Sequence, residues 1–326
     1  MTMEKPPDKS VSIIIVNWNS REMLKDCLNS LYKTLTDITF EIIVVDNDSA
    51  DQSIEMVEAE FPEVIVINSG GNLGYARANN MGIGRAKYDN LLILNPDTIV
   101  KRGTIKSMLE HLQSDQETGL VGCRAVDLNG NVQELGLQWF PSPSKELLKL
   151  LFISENSIQK FKKYLPYQNP DISNYVSAMF GMCLMIRKEV IEQVGSFDER
   201  FFMYAEDFDL CYRLRQKGWK LYYMSNVEII HVGGGTSQNS FSAFPTLMMR
   251  ESISQLMEKY YGKSGVLRYK LALLLGSLVR LTLLYLMKIK DQLGSCSKKD
   301  QINQSINKYF TMFKWSVNLE RPIIKN

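Results

Sequence analysis

The sequence predicts an α/β protein: a mostly parallel sheet flanked by helices, followed by a helical C-terminal extension. Three observations predict it. Short apolar, β-branched runs alternate with segments of helical period over the first hundred residues. Several of those runs stop at a cluster of Asn and Asp. After residue 243 the charge balance reverses and long helical patterns take over.

Val11 to Val16 is an unbroken apolar run closed by Asn17-Trp18-Asn19-Ser20, which reads as a buried strand and a turn. Arg21 to Thr34 carries Met23, Leu24, Cys27, Leu28 and Leu31 at helical spacing, with Ser20 as N-cap. Phe40 to Val45 is a second strand, ending in Asp46-Asn47-Asp48-Ser49. A helix over Gln52 to Phe61 stops at Pro62, and Val64 to Ile67 is a third strand. Tyr75 to Ala86 is a helix, and Asn90 to Leu94 a fourth strand ending in Asn95-Pro96-Asp97. His111 falls in a helical pattern and reads as structural.

Further on, Ser142 to Leu165 reads as an amphipathic helix, and Tyr175 to Arg187 as containing an apolar strand centred on Gly181. Lys188 to Val194 is a short helix ended by Gly195. A helix that stops at Gly218 starts near Glu206-Asp207, Trp219 to Ser225 is a strand, and His231 opens a glycine-rich loop. Asp209 and Arg213, four apart, read as a helix-surface ion pair.

Composition narrows the class. The chain has 326 residues, 45% hydrophobic and 23% charged, which is ordinary for a globular protein with a sizeable core. Five scattered cysteines without a C-x-x-C pair argue against a disulfide framework and fit a reducing cytosol. The polar N-terminus shows no signal-peptide pattern. The net charge of +2 conceals an asymmetry. From Phe244 onward fourteen basic residues face five acidic ones, a surplus of +9, so the preceding part stands at −7. No recognition motif accompanies that surplus, so nucleic acid is not an expected partner.

The strand ends carry the chemistry, because ligands of such sheets bind at the carboxyl ends of the strands. GxGxxG and GxxxxGK[ST] signatures are both absent. Asp46 serves either as a turn former or cap, or as an acceptor for a base N–H or a ribose hydroxyl. Asn95-Pro96-Asp97 is either a simple turn or a site for Mg²⁺ or Mn²⁺, which would neutralise a diphosphate. Glu206-Asp207 sits among Phe201, Phe202, Tyr204 and Phe208. Either this is an acidic helix start complementing the dipole, or burial raises one carboxylate into the range of a general base. His231 ends a strand before three glycines, so a loop closing over ligand could bring its imidazole to a metal.

Taken in order, Val-Ser-Ile-Ile-Ile-Val-Asn-Trp-Asn, Val-Val-Asp-Asn-Asp-Ser-Ala-Asp, Asn72-Leu-Gly74-Tyr-Ala-Arg77-Ala-Asn-Asn80, Leu-Asn-Pro-Asp97 and Phe-Met-Tyr-Ala-Glu-Asp-Phe-Asp-Leu-Cys-Tyr-Arg resemble glycosyltransferase family 2 enzymes, notably the rhamnosyltransferase-like branch. The resemblance spans roughly residues 10 to 240 and implies a GT-A fold with a Rossmann-like sheet. It implies inverting, metal-dependent transfer of a sugar from a dTDP- or UDP-sugar to a saccharide or lipid-linked acceptor. By resemblance, Asn17, Asn19, Asp46, Asn72, Gly74, Arg77, Asn80 and Asn95 hold the donor, and Asp97 and His231 bind the metal. Asp207 is implied as the base, with Glu206 beside it. Asn95 departs from the Asp that opens the family's Asp-x-Asp motif.

The domain expectation is a catalytic part over 1–243 (donor half about 10–100, acceptor half about 101–243) and a basic helical part over 244–326. Leu271 to Met287 is a leucine-rich run interrupted by Arg280, too short and too charged for a spanning helix. It reads either as an interfacial helix on anionic lipid at the inner face of the cell membrane or as a packing helix in a homodimer. Ile302, Ile306, Tyr309, Phe310, Phe313 and Trp315 form an amphipathic helical pattern. Two other functions fit such a fold: a nucleotidyltransferase acting on a sugar phosphate, and a non-catalytic sugar-binding protein. The first wants a Gly-rich phosphate loop near residue 20, and Asn17 to Met23 has no glycine. Asp97 and Asp207 argue against the second.

Overall fold

The computed structural model describes residues 9–133, 136–137, 140–146, 169, 171–233, 242–292 and 299–323. Most of the helix expected over 142–165 lies outside these residues. The strands are β1 (Ser10–Asn17), β2 (Thr39–Asp46), β3 (Ile65–Asn68), β4 (Asn90–Leu94), β5 (Thr98–Val100), β6 (Thr118–Val126), β7 (Gly136–Leu137), β8 (Asn174–Tyr175), β9 (Ala178–Met179), β10 (Cys183–Arg187) and β11 (Lys220–His231). The helices are α1 (Arg21–Thr34), α2 (Ser53–Glu60), α3 (Tyr75–Arg85), α4 (Thr104–Ser114), α5 (Lys188–Val194), α6 (Glu206–Gln216), α7 (Ala243–Gln292) and α8 (Lys299–Ser316).

The chain forms two compact units. One comprises Met1–Phe140, Tyr167–Phe202 and Glu206–Thr236; the other comprises Pro141–Pro166, Met203–Ala205 and Ser237–Asn326. The expected single cut at 243/244 therefore falls just inside the last segment of the second unit, which also takes two earlier segments.

Among the described residues the first unit is built on a nine-stranded sheet in the order β3-β2-β1-β4-β10-β6-β11-β5, with β8 added beside β11. β1 pairs in parallel with β2 and β4, and β2 with β3. β10 runs antiparallel to both β4 and β6, and β11 is parallel to β6. Six strands thus share one direction and β5, β8 and β10 oppose it, which is the mostly parallel sheet expected. Ile13, Ile14, Ile15, Ile43 and Leu92 are fully buried, as unbroken apolar strands in a two-sided sheet must be. α3 lies close on β1 and β2, and Gly82 permits it: a Cβ there would stand 2.4 Å from Ile14 Cγ2.

Several local expectations need correction. No strand within Tyr175–Arg187 is centred on Gly181. The chain turns at Gly181 between β9 and β10, which frees the Gly181 backbone for the site. The strand expected over Trp219–Ser225 runs on to His231 through a bulge between Met224 and Glu228. Ser20 stands at the N-cap of α1 but turns its hydroxyl to the Trp18 carbonyl; Asp51 Oδ2 accepts the Arg21 N–H instead, at 2.8 Å. Asp209 is fully buried, so its 2.7 Å pair with Arg213 is no surface pair. Arg213 also donates to the carbonyls of Val194, Gly195 and Ser196, tying α6 to the end of α5. Cys27, Cys123, Cys183 and Cys211 are free and buried. His111 stacks on Tyr222 with ring centroids 3.9 Å apart, a packing role as expected.

In the second unit α8 packs along α7 and buries Ile302, Ile306 and Trp315 against it. Phe310, expected on the same face, is exposed and stacks on Phe313. α7 bends at Gly262, whose φ of 64° is open to glycine at little cost. By length and composition α7 is apolar enough to cross a membrane, and only 22% of its most apolar window is buried.

Candidate active site

Strand register assembles the polar cluster at the carboxyl edge of the sheet. Asn17 pairs with Asp46, and Asp46 with Asn68, each at the end of its strand. Asn17 Nδ2 donates to Asp46 Oδ1 at 3.0 Å and to Ser49 Oγ at 3.1 Å. Asp46 Oδ2 accepts the Ser49 N–H at 2.9 Å, so its carboxylate does organise the turn. Asn17 Oδ1 is buried without a partner among the described residues. Asn19 is exposed at φ 49° and accepts the Ala50 N–H.

The second donor segment closes on the first. Asn47 Nδ2 donates to Asn72 Oδ1 at 2.9 Å, and the Leu73 N–H donates to Asn47 Oδ1. Gly74 has φ +84°, and a Cβ there would stand 2.4 Å from the Phe202 carbonyl oxygen. The next residue, Tyr75, donates its N–H to that carbonyl. Two expected donor residues face elsewhere. Arg77 sits in an exposed ion pair with Glu199 at 3.3 Å. Asn80 holds the backbone of Phe197 from both sides, accepting its N–H and donating to its carbonyl. Asn80 therefore acts as a brace for the loop that leads to Phe202.

Tyr75 was quoted in the motif without a role, yet it joins the halves of the site. Its hydroxyl lies 3.0 Å from Asn95 Oδ1 and 3.2 Å from the Gly181 carbonyl. Burial, chiefly, keeps its proton on, with the charges of Asp207 and Asp97 acting in the same direction.

Glu206 and Asp207 open α6 after two residues, Tyr204 and Ala205, with φ of 70° and 69°. Such left-handed backbone is costly at non-glycine positions. Asp207 Oδ2 accepts the Gly181 N–H at 2.9 Å and Oδ1 the Phe208 N–H at 2.7 Å. Both carboxyls are nearly inaccessible. Burial raises the Asp207 pKa to about 6, although its backbone hydrogen bonds oppose the shift. Burial and the Asp207 charge raise Glu206 well above the carboxylate range, and Glu206 Oε2 has no partner among the described residues. Glu206 keeps a proton and Asp207 ionises first.

Antiparallel pairing of β5 with β11 brings Thr98 opposite His231, and the Val232 N–H donates to the Asp97 carbonyl. His231 Nε2 lies 3.3 Å from Asp97 Oδ2. Asp97 Oδ1 is buried without a partner among the described residues. Adjacent ligands of an octahedral divalent ion at about 2.1 Å stand about 3 Å apart, so the two side chains fit two positions of such an ion. No group of three or more His, Cys, Asp and Glu among the described residues could hold a metal alone. A substrate diphosphate would have to complete the set. Gln133, which touches His231, carried no sequence signal at all.

Comparison with known proteins gives a family and a fold. The model of the family described as glycosyl transferase family 2 matches residues 12–195, more than half of the chain; Asp207 and His231 lie beyond the match. The chain is 29% identical over 225 residues to the low-salt glycan biosynthesis hexosyltransferase Agl10 of Haloferax volcanii, covering 68% of this chain and 66% of that one. It is 28% identical over 236 residues to the N-acetylglucosaminyl-diphospho-decaprenol L-rhamnosyltransferase of Mycobacterium tuberculosis, covering 67% and 75%. Among solved structures, the mannosyltransferase PcManGT of Pyrobaculum calidifontis, in complex with GDP-Man and Mn²⁺, superposes with a TM-score of 0.57 at 15% identity over 97% of this chain and 90% of that one. The fold is the GT-A type expected. The chain belongs to glycosyl transferase family 2.

Proposed function

We propose that the chain transfers one hexose, rhamnose being the leading case, from a nucleoside diphosphate to a hydroxyl of a growing glycan or lipid-linked saccharide. The observation that carries this is the turn at Gly181, which presents Asp207 as a buried, ionisable carboxylate beside the strand-end polar cluster. The relatives named for rhamnosyl and hexosyl transfer support the sugar class, and the relative named for a diphospho-decaprenol substrate supports a lipid-linked acceptor. Two neighbours of this fold were solved with Mn²⁺, which supports a divalent ion.

Asn17, Asp46, Asn47 and Asn72 form the wall against which the nucleoside would rest. Asp97 and His231 would hold Mg²⁺ or Mn²⁺. When bound, that ion supplies positive charge for the departing diphosphate. Asp207 takes the proton of the acceptor hydroxyl. The acceptor oxygen then bonds the anomeric carbon as the bond to the diphosphate breaks on the opposite face, so configuration inverts and no protein nucleophile is needed. Glu206, holding its own proton, puts no second negative charge beside the base.

The +9 helical part and the exposed apolar side of α7 support peripheral attachment at the cytoplasmic leaflet, where a lipid-linked acceptor is within reach. The deciding experiment is a screen of dTDP- and UDP-sugars for hydrolysis and transfer, with Mn²⁺, Mg²⁺ or excess EDTA. Turnover of one donor class that EDTA abolishes is the expected result. Full activity in EDTA removes the metal, and release of pyrophosphate from a sugar phosphate and nucleoside triphosphate replaces this reading with nucleotidyl transfer.

A further inference from the structure

Gln133 precedes His231 by 98 positions and belongs to none of the motifs. Its carboxamide is committed to that one residue at both ends. Nε2 donates to the His231 carbonyl oxygen at 2.9 Å. Oε1 lies 2.6 Å from His231 Nδ1. The first bond fixes which end of the amide is nitrogen, so the second leaves an oxygen facing the ring. An oxygen accepts only, and Nδ1 must therefore carry the hydrogen. In the neutral ring Nε2 then holds the lone pair, and that lone pair faces Asp97 Oδ2 at 3.3 Å. Two acceptors at that distance repel unless a cation or a proton joins them.

The clamp itself is held by the sheet. The Gln133 N–H donates to the Ala125 carbonyl at 2.9 Å, and Val132 bridges to Val126 on β6. His231 is held by its pairing with Thr98 on β5. Residues on three segments thus fix one imidazole.

We infer that Gln133 is the positioning residue that holds His231 as the Nδ1–H tautomer and directs its Nε2 lone pair, with Asp97, at a divalent cation. The inference rests on the metal assignment above. A ring without this partner exchanges tautomers and presents N–H to the ion for part of the time. Partners on the far nitrogen of a metal-binding histidine are typically worth 10–100-fold in affinity.

The test is Mn²⁺ binding, followed by electron paramagnetic resonance, to the full chain with UDP and, separately, dTDP present. Gln133→Leu is expected to weaken Mn²⁺ about 10–100-fold. Gln133→Glu, which still accepts the Nδ1 hydrogen, should recover most of that loss. Nitrogen shifts of ¹⁵N-labelled histidine should report the Nδ1–H tautomer in the unmutated chain without metal, at a pH where the ring is neutral, and this readout stands if Gln133→Leu does not fold. Wild-type Mn²⁺ affinity in Gln133→Leu, with His231→Ala weakened, overturns the role of Gln133 and leaves the metal site intact. An Nε2–H tautomer in the unmutated chain overturns it as well. Unchanged affinity in His231→Ala overturns both the role and the histidine ligand.

Discussion

The Tyr75 hydroxyl donates to Asn95 Oδ1 at 3.0 Å from a position 3.2 Å away from the Gly181 carbonyl, whose own N–H holds Asp207. One phenol thereby links the segment after β4 to the turn that carries the proposed base. Removing the oxygen alone tests that link. Tyr75→Phe should lower kcat about fivefold, the size of one lost hydrogen bond of about 1 kcal/mol, with donor KM little changed. A variant with unimpaired kcat and a poorer donor KM would make Tyr75 a wall of the donor site only.

Asp207 yields a prediction with a sign. Its pKa of about 6 is raised, chiefly by burial, so the base is lost on acidification and kcat should fall below about pH 6. Asp207→Asn should lose at least ~10²-fold in kcat while still binding donor, and Glu206→Gln should lose less. Stability moves the other way. The folded state binds more protons than the unfolded state between about pH 4 and pH 6, so the stability Asp207 contributes is present below about pH 4 and is lost as pH rises through about 6. Thermal melts of wild type and Asp207→Asn should therefore diverge between pH 4 and pH 7, the wild type losing ground. Parallel melting curves across that range would place the proton elsewhere.

Gly74 is fixed by two independent constraints, a φ of +84° and the Phe202 carbonyl 2.4 Å from any Cβ. Gly74→Ala should destabilise the chain by about 1–3 kcal/mol for the backbone alone, and more if the carbonyl cannot retreat. Because that carbonyl also receives the Tyr75 N–H, the start of α3 must shift with it. A lower Tm together with a raised donor KM is expected. An unchanged Tm would mean the Phe202 loop yields freely.

β1 to β4 were legible because parallel strands buried on both faces need unbroken apolar runs, and their polar ends follow from the fold. β6 was not legible. Its run Thr118-Gly-Leu-Val-Gly-Cys-Arg-Ala-Val126 is broken by glycines that local pattern cannot justify. Only the packed sheet explains them: a Cβ on Gly122 would stand 2.6 Å from Met179 Sδ, and one on Gly119 3.1 Å from Leu214 and Trp219. Site residues divide in the same way. Asp46, Asp97 and Asp207 announce themselves at strand and helix ends. The meeting of Asp97 with His231 depends on β5 pairing with a strand far along the chain, Val100 with Ile229 and Thr98 with His231, which no local window contains. Asn80 belongs to the motif yet serves the Phe197 backbone, so membership of a motif did not by itself fix a role.

Arg280 is one of the two reasons to doubt that Leu271–Met287 spans a membrane, and its placement keeps its charge off the exposed stripe. The guanidinium lies over the Tyr309 ring at 5.5 Å, on the side of α7 that α8 covers. Leu267, Leu271, Leu275, Leu278, Leu286 and Ile289 are exposed at helical spacing along α7. Spanning about 33 Å at 1.5 Å per residue, this stripe is long enough to cross a bilayer. α8, however, carries exposed Asp300, Gln301 and Lys308, a poor surface for a hydrocarbon core. A hairpin lying in the interface satisfies both faces. The +9 charge adds about 1 kcal/mol for each Lys or Arg near an anionic surface and fades within a Debye length, whereas buried leucine is insensitive to salt. The full chain should therefore float with anionic vesicles, weaken in high salt and remain partly bound. Leu271→Glu with Leu275→Glu and Leu278→Glu should remove the salt-resistant part and leave donor hydrolysis intact. Resistance of the full chain to alkaline carbonate would show a spanning helix instead. If the chain ignores anionic vesicles and the triple variant turns an oligomer into a monomer by chromatographic mass, the stripe is an assembly face and the membrane assignment is wrong.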